Sequence, residues 1–228
     1  MKRLLVAATL LVFGLALAAP HRGGAEAPAE AMGPHMDLTL PRPPAAADQS
    51  RAAMIVSAAK RVMARYPDVA SAERDGFAKF LPGVPLPVEH FTNNTWAVEA
   101  WTSHFDAEHP TSLIYERHGE ALHLIGVMYT ASKDATQQQL DAAVPLSVAR
   151  WHRHVRICLP PRGAERDARF GLAGTISDAD FCRAAGGRWL PQLFGWMVHV
   201  WPDETDPARV WAVHHDDEGS MHDMTHMH

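Results

Sequence analysis

The chain has 228 residues, a length that suits one domain with tails. Apolar residues make up 47% and charged residues 21%, which excludes wholesale disorder, and a net charge of −5 excludes the electrostatic footprint of a nucleic-acid binder. Two Cys exclude a disulfide-dense scaffold and any metal site held by four cysteines, so the unusual counts are 15 His and 10 Met.

Residues 1–19 read as a secretory signal peptide. Lys2 and Arg3 form the basic region, residues 4–15 are apolar, and Ala16-Leu17-Ala18 fits a small-x-small cleavage site. The apolar run is shorter than the roughly 20 residues a bilayer span needs, and no later run approaches that length. The expectation is an exported protein, periplasmic or secreted, with no transmembrane segment in its mature form.

Residues 20–47 are rich in Pro, Ala and Gly and predict a disordered linker. A single domain over residues 48–213 follows. Residues 45–65 predict a helix, because Met54, Ala58 and Val62 recur at helical spacing; Asp48 or Ser50 caps it. Residues 68–75 predict a second short helix closing at Gly76. Residues 81–88 carry three prolines and predict irregular chain.

Strand signals come next. Residues 113–117 and 121–131 flank His118-Gly119-Glu120 as a hairpin. Residues 147–158 predict a long strand, residues 177–185 a short helix capped by Ser177, and residues 193–201 another strand stopped by Pro202. Residues 210–213 predict an edge strand. The fold class is therefore α+β, with N-terminal helices packed on a mainly antiparallel sheet.

Chemistry concentrates in three places. Residues 214–228 predict a disordered tail with His214, His215, His222, Met224, His226, Met227 and His228. Imidazole suits copper and zinc, and thioether favours Cu(I), so interleaved His and Met point to copper first and zinc second. A smaller echo, Met32, His35 and Met36, lies in the linker. The second place is Trp151-His152-Arg153-His154. Side chains two apart on a strand share a face, so His152, His154, Arg156 and Cys158 point one way, toward a groove or solvent. The third is Met197 and His199, which share a face with Trp201, while Trp196, Val198 and Val200 share the other. If this strand pairs with residues 147–158, His199 joins His152 and His154, and three histidines leave an open coordination position.

His90, His104, His109, His118 and His123 are further candidate ligands. In an oxidising compartment Cys158 and Cys182 are the only disulfide candidates; the alternative is two free thiols, one of them a ligand. No His-Glu-x-x-His, zinc-deaminase, Gly-x-Ser-x-Gly or phosphate-loop motif occurs.

Three stretches carry a resemblance. They are Ser112-Leu113-Ile114-Tyr115-Glu116 with Leu124-Ile125-Gly126-Val127-Met128-Tyr129, Trp151-His152-x-His154-x-x-x-Cys158-x-Pro160, and Phe194-Gly195-Trp196-Met197-Val198-His199-Val200-Trp201 with Asp206-Pro207. Together they resemble a family of exported bacterial proteins with no assigned activity, over residues 50–213. The resemblance implies an extracytoplasmic single-domain protein and brings no reaction with it.

The expected function is metal capture, buffering or delivery, with the metal ion as partner and no protein partner named. Two alternatives remain: a mononuclear metal hydrolase or oxidase using the same histidines, and a structural protein with no metal.

Overall fold

Helix α1 (Asp48–Arg65) shows how the sequence builds the core. Its Ala52, Ile55, Ala59 and Val62 recur at i, i+3, i+7 and i+10, and all four are buried. Its N-cap is Ala47, which offers no capping side chain. The Asp48 carboxylate instead accepts from the Ala45 backbone N–H at 2.7 Å, from Ser147 Oγ at 2.6 Å and from Arg42 at 2.6 and 2.8 Å. Those donors hold its pKa far below the usual carboxylate range, the Arg42 hydrogen bonds contributing most. The expected cap is thus replaced by a buried ion pair that ties the helix start to residue 147.

A computed structural model describes residues 29–82, 86–102 and 105–215. After α1 come α2 (Val69–Arg74), β3 (Phe77–Lys79), β4 (Val88–Asn93), α3 (Asn94–Thr102), β5 (Ser112–His118), β6 (Ala121–Ala131), α4 (Gln137–Ala143), β7 (His152–Leu159), α5 (Ala179–Ala184) and β8 (Arg188–Val200). Two strands precede α1: β1 (Ala29–Ala31) and β2 (Met36–Thr39). The eight strands form one sheet in the order β1-β2-β7-β8-β6-β5-β4-β3, and every pairing is antiparallel. The fold is mixed α/β and dominated by the sheet. Among the described residues no helix is long and apolar enough to cross a membrane.

Several boundaries differ from the sequence reading. Residues 29–31 and 36–39, read as linker, are strands: Met36, Asp37 and Leu38 pair with His154, Arg153 and His152 of β7, and Met36 and Leu38 are buried. Their backbone groups complete the β7 edge, so strand formation there depends on a partner and not on local apolar pattern. Helix α5 is capped by Asp178, whose carboxylate accepts from the backbone N–H groups of Asp180 and Phe181; Ser177 lies outside it. Residues 147–151 precede β7, which begins at His152. Residues 210–213 form turns instead of a strand, and Val210 O accepts from Trp201 N–H at 2.9 Å. Helices α3 and α4 and strands β3 and β4 were not anticipated.

The sheet has two different faces. One joins Leu113, Tyr115, Val127, Tyr129, Trp196, Val198 and Val200 to α1's apolar residues in the largest buried cluster. The other carries a smaller cluster of Val88, Ile114, Met128, Met197 and Trp201. Strand parity separates them, so Trp196 and Met197 go to opposite sides.

Cys158 of β7 and Cys182 of α5 form a disulfide, in a small buried cluster with Phe170. It closes a segment with a sequence separation of 24 residues. Replacing both cysteines by alanine should lower unfolding free energy by about 2–4 kcal/mol, through the greater freedom of the unfolded chain. Urea unfolding of the two forms measures this; equal midpoints and slopes would contradict it.

Candidate metal centre

Strand pairing brings the histidines together. His152 of β7 lies opposite Met197 of β8, and His199 of β8 lies opposite Met128 of β6. Each imidazole therefore has a thioether as its cross-strand neighbour, on the same face as the smaller apolar cluster. The His152 and His199 ring centroids are 4.9 Å apart, and His152 and His154 are 5.7 Å apart.

His90 of β4 joins them from across the sheet. Two strands separate β4 from β8, so a flat sheet would hold them about 14 Å apart. The His90 and His199 rings are 5.7 Å apart. Phe80, just past β3, likewise meets Phe194 of β8 at 5.0 Å. The sheet therefore curls so that this face is concave and the histidines lie inside the curve. No element found in the sequence reading covered His90, and strand parity alone does not reveal curvature.

A β-bulge shapes the rim. His154 pairs with Leu193 and His152 with Met197, so β8 spends four residues where β7 spends two. Phe194 adopts φ 63°, a left-handed conformation rare for a bulky residue. Along β7 itself the alternation is broken at Arg156, where φ is 57°. His152 is buried at 2% exposure, on the groove side of the two placements that parity allowed, while Cys158 belongs to the separate disulfide cluster.

The segment after β8 closes one side. Trp201 Nε1–H donates to Ala212 O at 2.8 Å, and its ring lies 5.3 Å from His199 and 5.0 Å from His215. Gly126 makes room for that ring: a Cβ there would stand 2.6 Å from Trp201 Cε3. His199 Nδ1–H donates to Val213 O at 2.6 Å. In the neutral ring this fixes the tautomer and puts the lone pair on Nε2, as a backbone carbonyl does for a metal-ligating histidine. His215 Nε2 lies 3.0 Å from Glu204 Oε1. His214 and His215, read as the start of a disordered tail, thus belong to the described structure; His222, Met224, His226, Met227 and His228 lie outside the described residues, as do His104 and residues 1–28.

Electrostatics follow from this crowding. Burial pushes the His152 pKa well below the usual imidazole value, and the nearby His199, His154, His214 and His90 push it further down. His152 Nδ1 is buried and has no hydrogen-bond partner among the described residues. A buried polar nitrogen without a partner carries a desolvation cost, which a ligand contact would relieve. Among the described residues no group of three or more His, Cys, Asp or Glu side chains is placed to hold a metal ion. The ring spacing nevertheless fits one. Two imidazoles on a tetrahedral metal, with metal–nitrogen distances near 2.0–2.1 Å, have centroids about 5 Å apart.

The remaining histidines are elsewhere. His35 is buried, with Nδ1 2.9 Å from Arg156 O and Nε2 2.6 Å from Gly174 O, so it pins the start of β2 to its surroundings. His109 stacks on Trp96 at 4.6 Å and pairs with Asp106. His118 and His123 lie at the tip of the β5–β6 hairpin.

No family model, curated protein or solved structure matches this chain. The site must therefore be read from its own geometry.

One pH dependence follows from His152. The unfolded chain takes up the proton near the ordinary value of 6.5, whereas the folded chain takes it up only well below that. Protonation therefore favours unfolding. Stability from this group is complete above pH 6.5 and declines as pH falls from there toward the folded value. Melting temperature against pH should show this decline, and His152→Leu should flatten it; parallel curves would contradict the assignment.

Proposed function

We propose that this chain is an exported, soluble metal-binding protein that captures, buffers or delivers copper, with zinc as second choice. In this reading α1 and α2 form a layer on the sheet face opposite the histidines, leaving the concave face for the metal. His152, His154, His199 and Met197 supply the ligand set, with His90 and Met128 beside them. His214 and His215 border the site, and the tail residues His222, Met224, His226, Met227 and His228 capture metal within reach of it.

The observation that carries the reading is His152: a buried imidazole with an unpartnered Nδ1, surrounded by other imidazoles and facing a thioether. Apolar burial alone would favour Leu or Phe at such a position, and a structural histidine would have both its hydrogen-bonding groups satisfied. Imidazole with thioether selects soft Cu(I) over harder cations. Loading needs rotation of the rings toward one point, and the cation replaces the missing hydrogen-bond partner.

The test is anaerobic Cu(I) competition titration of the full chain with His222, His226 and His228 changed to Gln and Met221, Met224 and Met227 changed to Leu. One tightly held Cu(I) supports the reading. No Cu(I) retained against a competing chelator would leave the histidine cluster without a metal role.

A further inference from the structure

We infer a second, solvent-facing cation site at the tip of the β5–β6 hairpin, formed by Glu116, His118 and His123 and selective for Zn²⁺ or Cu²⁺. Glu116 and His123 are register partners, and His118 is two residues beyond Glu116 on the same strand, so all three side chains share one face. The His118 and His123 ring centroids are 4.9 Å apart, the spacing of two imidazoles on one tetrahedral ion. His118 Nε2 and Glu116 Oε2 are joined by a short hydrogen bond. Glu116 is buried at 9% exposure, while the side chain of His118 is 58% exposed.

A buried carboxylate fixes one oxygen donor at the base, and two exposed imidazoles stand beside it. The hydrogen bond between His118 and Glu116 holds a proton where a cation would sit. Binding at Nε2 would displace that proton, which in a neutral imidazole passes to Nδ1 of the same ring. Rotation of His118 and His123 about their side-chain bonds brings their nitrogens round, which the exposed hairpin tip permits. Two imidazoles and a carboxylate form a three-ligand set with one position left for water. The donors are nitrogen and oxygen with no sulfur, so the site suits Zn²⁺ or Cu²⁺ and disfavours Cu(I).

This chemistry differs from that of the inner face, where thioethers flank the imidazoles. The two sites also share a face of the sheet. Glu116 lies opposite Val88, and His90 is two residues further along β4, a step of about 7 Å.

The experiment is calorimetric titration with Zn²⁺, using the full chain with the same six tail substitutions, with and without His118→Ala plus His123→Ala. The inference expects the double variant to lose one equivalent of Zn²⁺, or at least about tenfold in affinity for it. Cu(I) binding should be unchanged. A second readout uses the unsubstituted hairpin: substoichiometric Cu²⁺ should broaden the ring-proton resonances of His118 and His123. Equal Zn²⁺ stoichiometry and affinity in both forms, or unbroadened hairpin resonances, would overturn the inference. Loss of Cu(I) binding with an intact hairpin equivalent would refute only the inner site, so the two failures are distinguishable.

Discussion

Cu(I) affinity is expected to fall at least about 100-fold when His152 and His199 are both replaced by alanine in the tail-substituted full chain. Changes to groups that merely orient a metal ligand cost about 10–100-fold, so removing two ligands should exceed the upper end of that range. His199 contributes a ring whose tautomer is set by Val213 O, and His152 contributes the unpartnered nitrogen. Truncating a buried ring also leaves a cavity, so circular dichroism and the urea unfolding midpoint serve as folding controls. Met197→Leu gives a finer contrast. It conserves volume and polarity at the cluster, so Cu(I) should weaken while Zn²⁺ holds. Full Cu(I) affinity in the folded double variant would remove both histidines from the site.

The largest expected stability effect belongs to Gly195. A Cβ there would stand 1.9 Å from Ala131 O, a backbone atom in the neighbouring strand β6. No side-chain rotation relieves such an overlap, so either β6 and β8 must part or the bulge must rearrange. Overpacking typically costs about 1–3 kcal/mol, and a backbone clash lies at or above the top of that range. Gly195→Ala should therefore unfold at markedly lower urea concentration. Because the bulge between Leu193 and Met197 sets the register of His152 and His154, Cu(I) affinity should fall with stability. An unchanged urea midpoint would show that the close approach of β6 and β8 is not required.

The parts of this fold that were legible share a cause. The β5–β6 hairpin combines two runs rich in apolar and aromatic residues with Gly119 in the turn, where φ is 62°. β8 from Trp196 onward keeps strict alternation, so Trp196, Val198 and Val200 could be separated from Met197 and Trp201 by parity alone. That parity also placed His199 on the side where it meets His152. The disulfide followed from there being only two cysteines.

The illegible parts depend on partners and on shape. β1 and β2 lie in a Pro-, Gly- and Ala-rich stretch, and their strand character comes from β7's backbone and from His35 held between two carbonyls. β4 alternates buried and half-buried positions from Glu89 to Asn93, but two of its buried residues are the polar Glu89 and Asn93, so no apolar alternation marks it and His90 stays unplaced. Helix α4 carries Gln-Gln-Gln and little apolar periodicity, although Thr136 with Gln139 forms a capping box that was a usable signal. The approach of His90 to His199 arises from sheet curvature, which a one-dimensional pattern does not encode.

The most direct measurement of the central claim is X-ray absorption at the copper edge of the Cu(I)-loaded full chain carrying the six tail substitutions. The account predicts imidazole nitrogen and thioether sulfur together in the first coordination shell, with the sulfur contribution lost in Met197→Leu. A first shell without histidine nitrogen would contradict it.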